Sequence, residues 1–216
     1  MKRLFTLLLI LHSAFFTLQA VAASKDKETR KVLDTAAERL SKGGGIELKF
    51  TAMTLMGKAI QDKTTGAMTL QGRKFTMQTP EMRTWFDGKL QWTMQTGDDE
   101  VSLSEPTGEE LQAINPYTFL SIYKHGFNYD MKKGRLSNGK EGFRITLKAD
   151  NAKQEIREMF IEIDNQYNLV RASLRQGKSQ WVRLVVNSIT MGKKYPDSHF
   201  IFPKDRYPNA EIIDLR

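Results

Sequence analysis

The sequence predicts a mainly β protein with some α: an antiparallel sheet of many short strands, preceded by one amphipathic helix and interrupted by a short helical lid. Three observations predict it. In 26–42 the apolar residues Val32, Leu33, Ala36, Ala37 and Leu40 recur at helical spacing, and Gly43, Gly44 and Gly45 then stop the helix. From Ile46 the period drops to two, with Ile46, Leu48, Phe50 and Ala52 alternating with Glu47, Lys49 and Thr51. Turn dipeptides such as Asp87-Gly88, Asn138-Gly139 and Asp164-Asn165 separate the later runs, which favours an antiparallel meander over a parallel sheet.

Ahead of the helix, Lys2 and Arg3 precede an apolar run from Leu4 to Phe16, and Ala20, Val21, Ala22 and Ala23 supply small side chains before Ser24. That order of basic, apolar and small residues predicts a cleavable export signal over 1–23 and a single mature domain over 24–216. The alternative, an uncleaved anchor of roughly 20 residues, fits the short apolar core and its His12 less well. The chain has no cysteine, so neither thiol acylation nor a disulfide is expected, and core burial has to hold the fold.

The formal net charge is +8 and the pI about 9.6, yet the basic residues are scattered among Glu and Asp. Nucleic-acid binding requires a concentrated basic face, so no nucleic-acid partner is expected; weak attraction to anionic lipid headgroups is compatible with the charge.

Further strands are predicted at 67–70, 74–79, 82–87, 90–95, 100–104, 128–132, 142–148, 156–163, 169–175, 180–190 and 199–202. Between them, Thr107 and Glu110 have capping-box spacing, predicting a short helix over 108–113. Asn115 and Pro116 then start a second one, in which Tyr117, Phe119, Leu120, Ile122 and Tyr123 put apolar area on most of the surface before Gly126. Such a helix requires cover, either as a plug of ordinary core or as a lid over an apolar cavity.

Methionine is abundant in and beside the strands: Met53, Met56, Met68, Met77, Met82, Met94, Met131 and Met159, with Phe50, Phe75, Trp85, Phe86, Trp92 and Phe143 among them. Singly these are core fillers. As a set lining one surface, unbranched polarisable side chains accept ligands of variable shape, as acyl chains are. Phe50, Phe75, Met77, Trp85, Trp92 and Phe143 are therefore the candidate cavity residues.

The segment Phe75-Thr76-Met77-Gln78-Thr79-Pro80, followed by Trp85-Phe86-Asp87-Gly88-Lys89-Leu90-Gln91-Trp92, resembles the strand, proline and hairpin of the periplasmic outer-membrane lipoprotein carriers, the LolA family. Asn115 to Ile122 is similar to that family's lid, and Phe200-Ile201-Phe202-Pro203 to its closing strand. The resemblance implies a curved antiparallel sheet forming an incomplete barrel in the periplasm. It also implies a monomeric carrier that takes lipoprotein acyl chains from an inner-membrane release complex to an outer-membrane acceptor, with Phe119, Leu120, Ile122 and Tyr123 on the lid. Family members place an arginine just before the early proline to bond the lid shut; Thr79 stands there, leaving Arg83 or Arg73 as the possible latch.

No enzyme, cofactor or metal site is expected. The mature chain has only His125 and His199, no thiol, no Gly-x-Ser-x-Gly elbow and no His-Glu-x-x-His site. Asp98, Asp99 and Glu100 read as a solvated turn, and Ser102 and Ser104 as one side of a strand. The alternatives are an envelope lipid-binding or stress-sensing interaction protein of the same fold, and an enzyme acting on lipid or glycan.

Overall fold

A computed structural model describes residues 26–107, 122–151, 153–176 and 178–216. The predicted export signal and the lid positions Phe119 and Leu120 lie outside the described residues.

Helix α1 covers 26–42, as its spacing predicts. The strands that follow are β1 (Gly45–Met56), β2 (Ala59–Gln71), β3 (Lys74–Gln78), β4 (Met82–Phe86), β5 (Gln91–Gln95) and β6 (Glu100–Ser104). After the lid region come β7 (Phe127–Arg135), β8 (Glu141–Ala149), β9 (Ile156–Asp164), β10 (Leu169–Gln176), β11 (Gln180–Lys193) and β12 (Glu211–Asp214). They form one sheet in the order β12-β6-β5-β4-β3-β2-β1-β11-β10-β9-β8-β7. Two meanders, β2 to β6 and β7 to β11, thus meet on β1, which pairs antiparallel with both β2 and β11. The sheet does not close on itself, and the result is the open half-barrel that the resemblance implies.

Local chemistry explains the hairpins. At the β4–β5 turn the Asp87 carboxylate accepts hydrogen bonds from the backbone N–H of Lys89 and Leu90, both at 2.8 Å, and Gly88 takes φ 104°, which a side chain would disfavour. At the β9–β10 turn, buried Asp164 accepts from the N–H of Gln166 and Asn168, and the Asn168 side-chain oxygen accepts from Arg39 Nε at 3.0 Å, tying the turn to α1.

The predicted strand 67–70 extends to β2 over Ala59–Gln71, and the C-terminal part of the sheet differs from the prediction. Residues 199–202 do not form a strand: Asp197–Phe200 is a 3₁₀ turn between Pro196 and an extended Ile201. Pro196 and Pro203 lack the N–H that ladder pairing on both sides would use. The sheet instead gains β12, which pairs parallel with β6.

Candidate functional site

Strand alternation gives the sheet two faces with different cover. The inner face carries Ile46, Leu48 and Phe50 of β1, Met68 and Leu70 of β2, and Phe75 of β3, opposite Phe86 of β4. On the other meander it carries Phe143, Ile145 and Leu147 of β8 against Ile163, Ile161 and Met159 of β9. Val32, Leu33, Ala36 and Leu40 of α1 bury into this surface, forming one core with both meanders. At about 1.5–3 kcal/mol for each large side chain fully buried, this core is the main source of stability.

Five methionines belong to that core. Met68 and Met159 are buried, while Met77, Met131 and Met191 are partly exposed at its margin. The ring of Phe50 needs space across β2, where a Cβ added at Gly66 would stand 2.5 Å from its Cζ.

The 3₁₀ turn Ile122–Lys124, where the lid region rejoins the sheet, is fixed to α1. Tyr123 is 1 % exposed and its hydroxyl donates to the Asp34 carboxylate. The Tyr129 hydroxyl donates to the Tyr123 carbonyl at 2.5 Å, and the Arg30 guanidinium sits 5.2 Å from the Tyr129 ring centroid. Burial first, then the Asp34 carboxylate, push the Tyr123 hydroxyl well above the usual tyrosine range. The sequence marked Tyr123 as apolar surface on the lid; its hydroxyl contact was not legible, because Asp34 lies 89 positions away.

The outer face is a different site. Register pairs Trp85 with Trp92, and Trp92 with Leu103, on the side opposite Phe75, Phe86 and Met77. The expectation that Trp85 and Trp92 share one surface with Phe50, Phe75, Met77 and Phe143 is therefore corrected. Both faces of β4 are apolar, and the Trp85-Phe86 pair hides which residue points inward. Trp92, Val101, Leu103 and Phe202 form a second buried cluster, with Trp85 and Tyr207 packed against it. Phe202 meets Trp85 edge-on with centroids 5.3 Å apart and stacks on Tyr207 at 5.4 Å.

Arg83 also lies on the outer face, paired across from Gln78 and Met94, and its guanidinium donates to the Tyr207 hydroxyl. Arg73 is exposed in the β2–β3 turn. Thr79, at the family's arginine position, ends β3 by accepting hydrogen bonds from the N–H of Glu81 and Met82, each at 3.2 Å. The structure thus turns Arg83 toward the C-terminal segment, and the lid partner expected for a latch lies outside the described residues.

Among the described residues no group of three or more His, Cys, Asp or Glu is placed to hold a metal ion. Asp98, Asp99 and Glu100 are exposed, and the Asp99 carbonyl accepts from the Glu211 N–H at 2.8 Å, which starts the β6–β12 pairing.

The family model described as outer membrane lipoprotein carrier protein LolA matches residues 19–184. No curated protein matches the chain in sequence. Among solved structures it is similar to a LolA superfamily protein from Nitrosomonas europaea, with 9 % identity, 80 % of this chain and 96 % of that one covered, and a TM-score of 0.42. It is similar to LprF from Mycobacterium bovis, with 10 % identity, 79 % and 96 % covered, and a TM-score of 0.48. The MucA/MucB complex structure from Pseudomonas aeruginosa matches with 10 % identity, 86 % and 63 % covered, and a TM-score of 0.41. With the family model spanning most of its length, the chain belongs to the LolA family of outer membrane lipoprotein carrier proteins.

Proposed function

We propose that the chain is a periplasmic, non-enzymatic carrier that binds the acyl chains of lipoproteins between α1, the lid and the inner face of the sheet. It takes them, as a monomer, from an inner-membrane release complex to an outer-membrane acceptor. The observation that carries this reading is the inner face itself, an aromatic and aliphatic surface with Met68, Met77, Met131, Met159 and Met191 around it and a helix as its cover. Methionine repacks at low cost, so such a core can exchange its own contacts for those of an acyl chain. At about 0.8 kcal/mol per methylene, an acylated anchor does not cross water unaided at a useful rate, which is why a carrier is required.

On this reading Phe50, Phe75, Met77 and Phe143 form the wall, Phe119 and Leu120 the movable cover, anchored at Ile122 and Tyr123, and Trp85 and Trp92 take no part. The test is titration of the mature protein with a fluorescent palmitoyl probe. Replacing the partly exposed Met77 by Asp should weaken binding at least tenfold with the circular dichroism spectrum unchanged. Trp92→Ala should leave the affinity within about twofold. Undiminished binding in a folded Met77→Asp variant would sink the inner face as the acyl site. Incubation of spheroplasts with the protein, followed by recovery of soluble acylated lipoprotein, tests the transport step.

A further inference from the structure

The outer face carries a cleft that the carrier reading leaves unused. Beyond β11 the chain crosses the outside of β3 and β4 and is pinned before and after the crossing. On the near side, the Gln71 side chain accepts from the Tyr195 N–H at 2.9 Å and donates to its carbonyl at 3.0 Å, while Lys74 pairs with Asp197 at 2.6 Å. On the far side, Phe202 and Tyr207 pack on Trp85. Between these attachments lies a cleft of about 470 Å³, a volume in the range of small-molecule sites and too small for a folded partner.

Its lining is chemically one-sided. Gln78, Arg83 and Trp85 form the floor, and His199, Arg206 and Tyr207 the wall. Two guanidinium groups line it and no carboxylate does. Burial holds the His199 imidazolium below the ordinary histidine range; of the nearby charges, Glu47 opposes this more strongly than Arg206 adds to it. Arg83 is oriented by the Tyr207 hydroxyl, which restricts the rotamers of a long side chain before any ligand arrives. Beside the cations, Trp85 and Ile201 offer apolar surface.

We propose that this outer cleft binds the phosphate group of a small organic phosphate, Arg83 and Arg206 taking the oxygens and Trp85 covering the apolar remainder. Guanidinium groups suit the task because their planar N–H forks match phosphate geometry. The phosphate has two possible sources, a lipid headgroup or a free phosphate.

The experiment is isothermal titration of the mature protein with octyl phosphate, inorganic phosphate and octyl glucoside, the last sharing the chain but lacking the charge. Octyl phosphate should bind at least tenfold more tightly than octyl glucoside. Arg83→Gln and Arg206→Gln should each weaken octyl phosphate tenfold or more. A tenfold preference for octyl phosphate over inorganic phosphate assigns the cleft to a lipid headgroup, and equal affinities assign it to free phosphate; either upholds the site. Both Gln variants are at exposed side chains, and their circular dichroism confirms the fold. Equal binding of octyl glucoside, or unchanged octyl phosphate affinity in both folded variants, overturns it. Because the palmitoyl titration reads the other face of the sheet, failure here leaves the carrier reading standing, and the reverse also holds.

Discussion

The same short strands present two apolar clusters, and their covers differ in kind. The inner cluster is large and rich in aliphatic side chains and methionine, and α1 covers it with a stripe of four apolar residues. The outer cluster is small and aromatic, covered by an irregular segment whose rings meet Trp85 edge-on and stack on one another. Dispersion contacts among flexible chains have little directional preference, whereas aromatic pairs favour particular angles. A face suited to exchange and a face suited to fixed geometry therefore sit a single sheet apart, which is why the proposed acyl site lies on the first and the proposed phosphate cleft on the second.

The sharpest break of this comparison comes from truncating a ring on each side. Phe75 is fully buried, with its centroid 5.3 Å from that of Phe86, and Phe75→Ala should cost about 3–5 kcal/mol in urea unfolding. Phe202→Ala should cost about 3 kcal/mol, and it should change tryptophan emission before far-ultraviolet ellipticity as urea rises, because the outer segment detaches first. Coincident transitions by both probes would mean that the two faces unfold as one unit. Gly66→Ala should cost about 1–3 kcal/mol through the collision with the Phe50 ring, and Phe50→Leu in the same chain should recover part of that loss.

A smaller effect sharpens the comparison at Tyr123. The folded state holds the Tyr123 proton above the ordinary value near 10, so the corresponding stabilisation is complete below pH ~10 and is lost as pH rises beyond it. Tyr123→Phe should cost about 1 kcal/mol at pH 7 and flatten the decline of unfolding free energy above pH 10. A residual slope is expected from Tyr195, whose hydroxyl is pushed up to about 12 by burial and by its hydrogen bond to Glu47. A decline as steep in the variant as in the parent chain would show that Tyr123 does not set the alkaline limit.

The fold was legible wherever one face of an element is apolar and the other polar. Alternation from Ile46 to Ala52 places β1, and helical spacing places α1. Legibility failed where alternation lapses. The first half of β2, from Ala59 to Thr65, is almost wholly polar, because both its faces meet solvent there. In β12, Ile212 and Ile213 are consecutive, so period two is hidden. For the candidate site, Phe50, Phe75, Met77 and Phe143 were assigned to one surface from period two, and register puts them there. Trp85 and Trp92 were misplaced because parity cannot be counted through Trp85-Phe86 and across a turn. Of the methionines taken as one set, Met94 packs with the outer cluster and Met56 is half exposed, while Met191, one residue past the predicted end of its strand, joins the inner core.

The pairing of β1 with β11 has a consequence in time. Gly45 lies opposite Lys193 and Met56 opposite Gln180, so more than half of the chain separates partners in the ladder that joins the two meanders. Contacts so distant in sequence carry a large loop-closure entropy and form slowly. They also cannot form until β11 has been synthesised, so the growing polypeptide has no complete sheet to fold into during most of its synthesis. If the chain is exported as its sequence predicts, the joint between the meanders acts as a clock that delays folding until transit is nearly done.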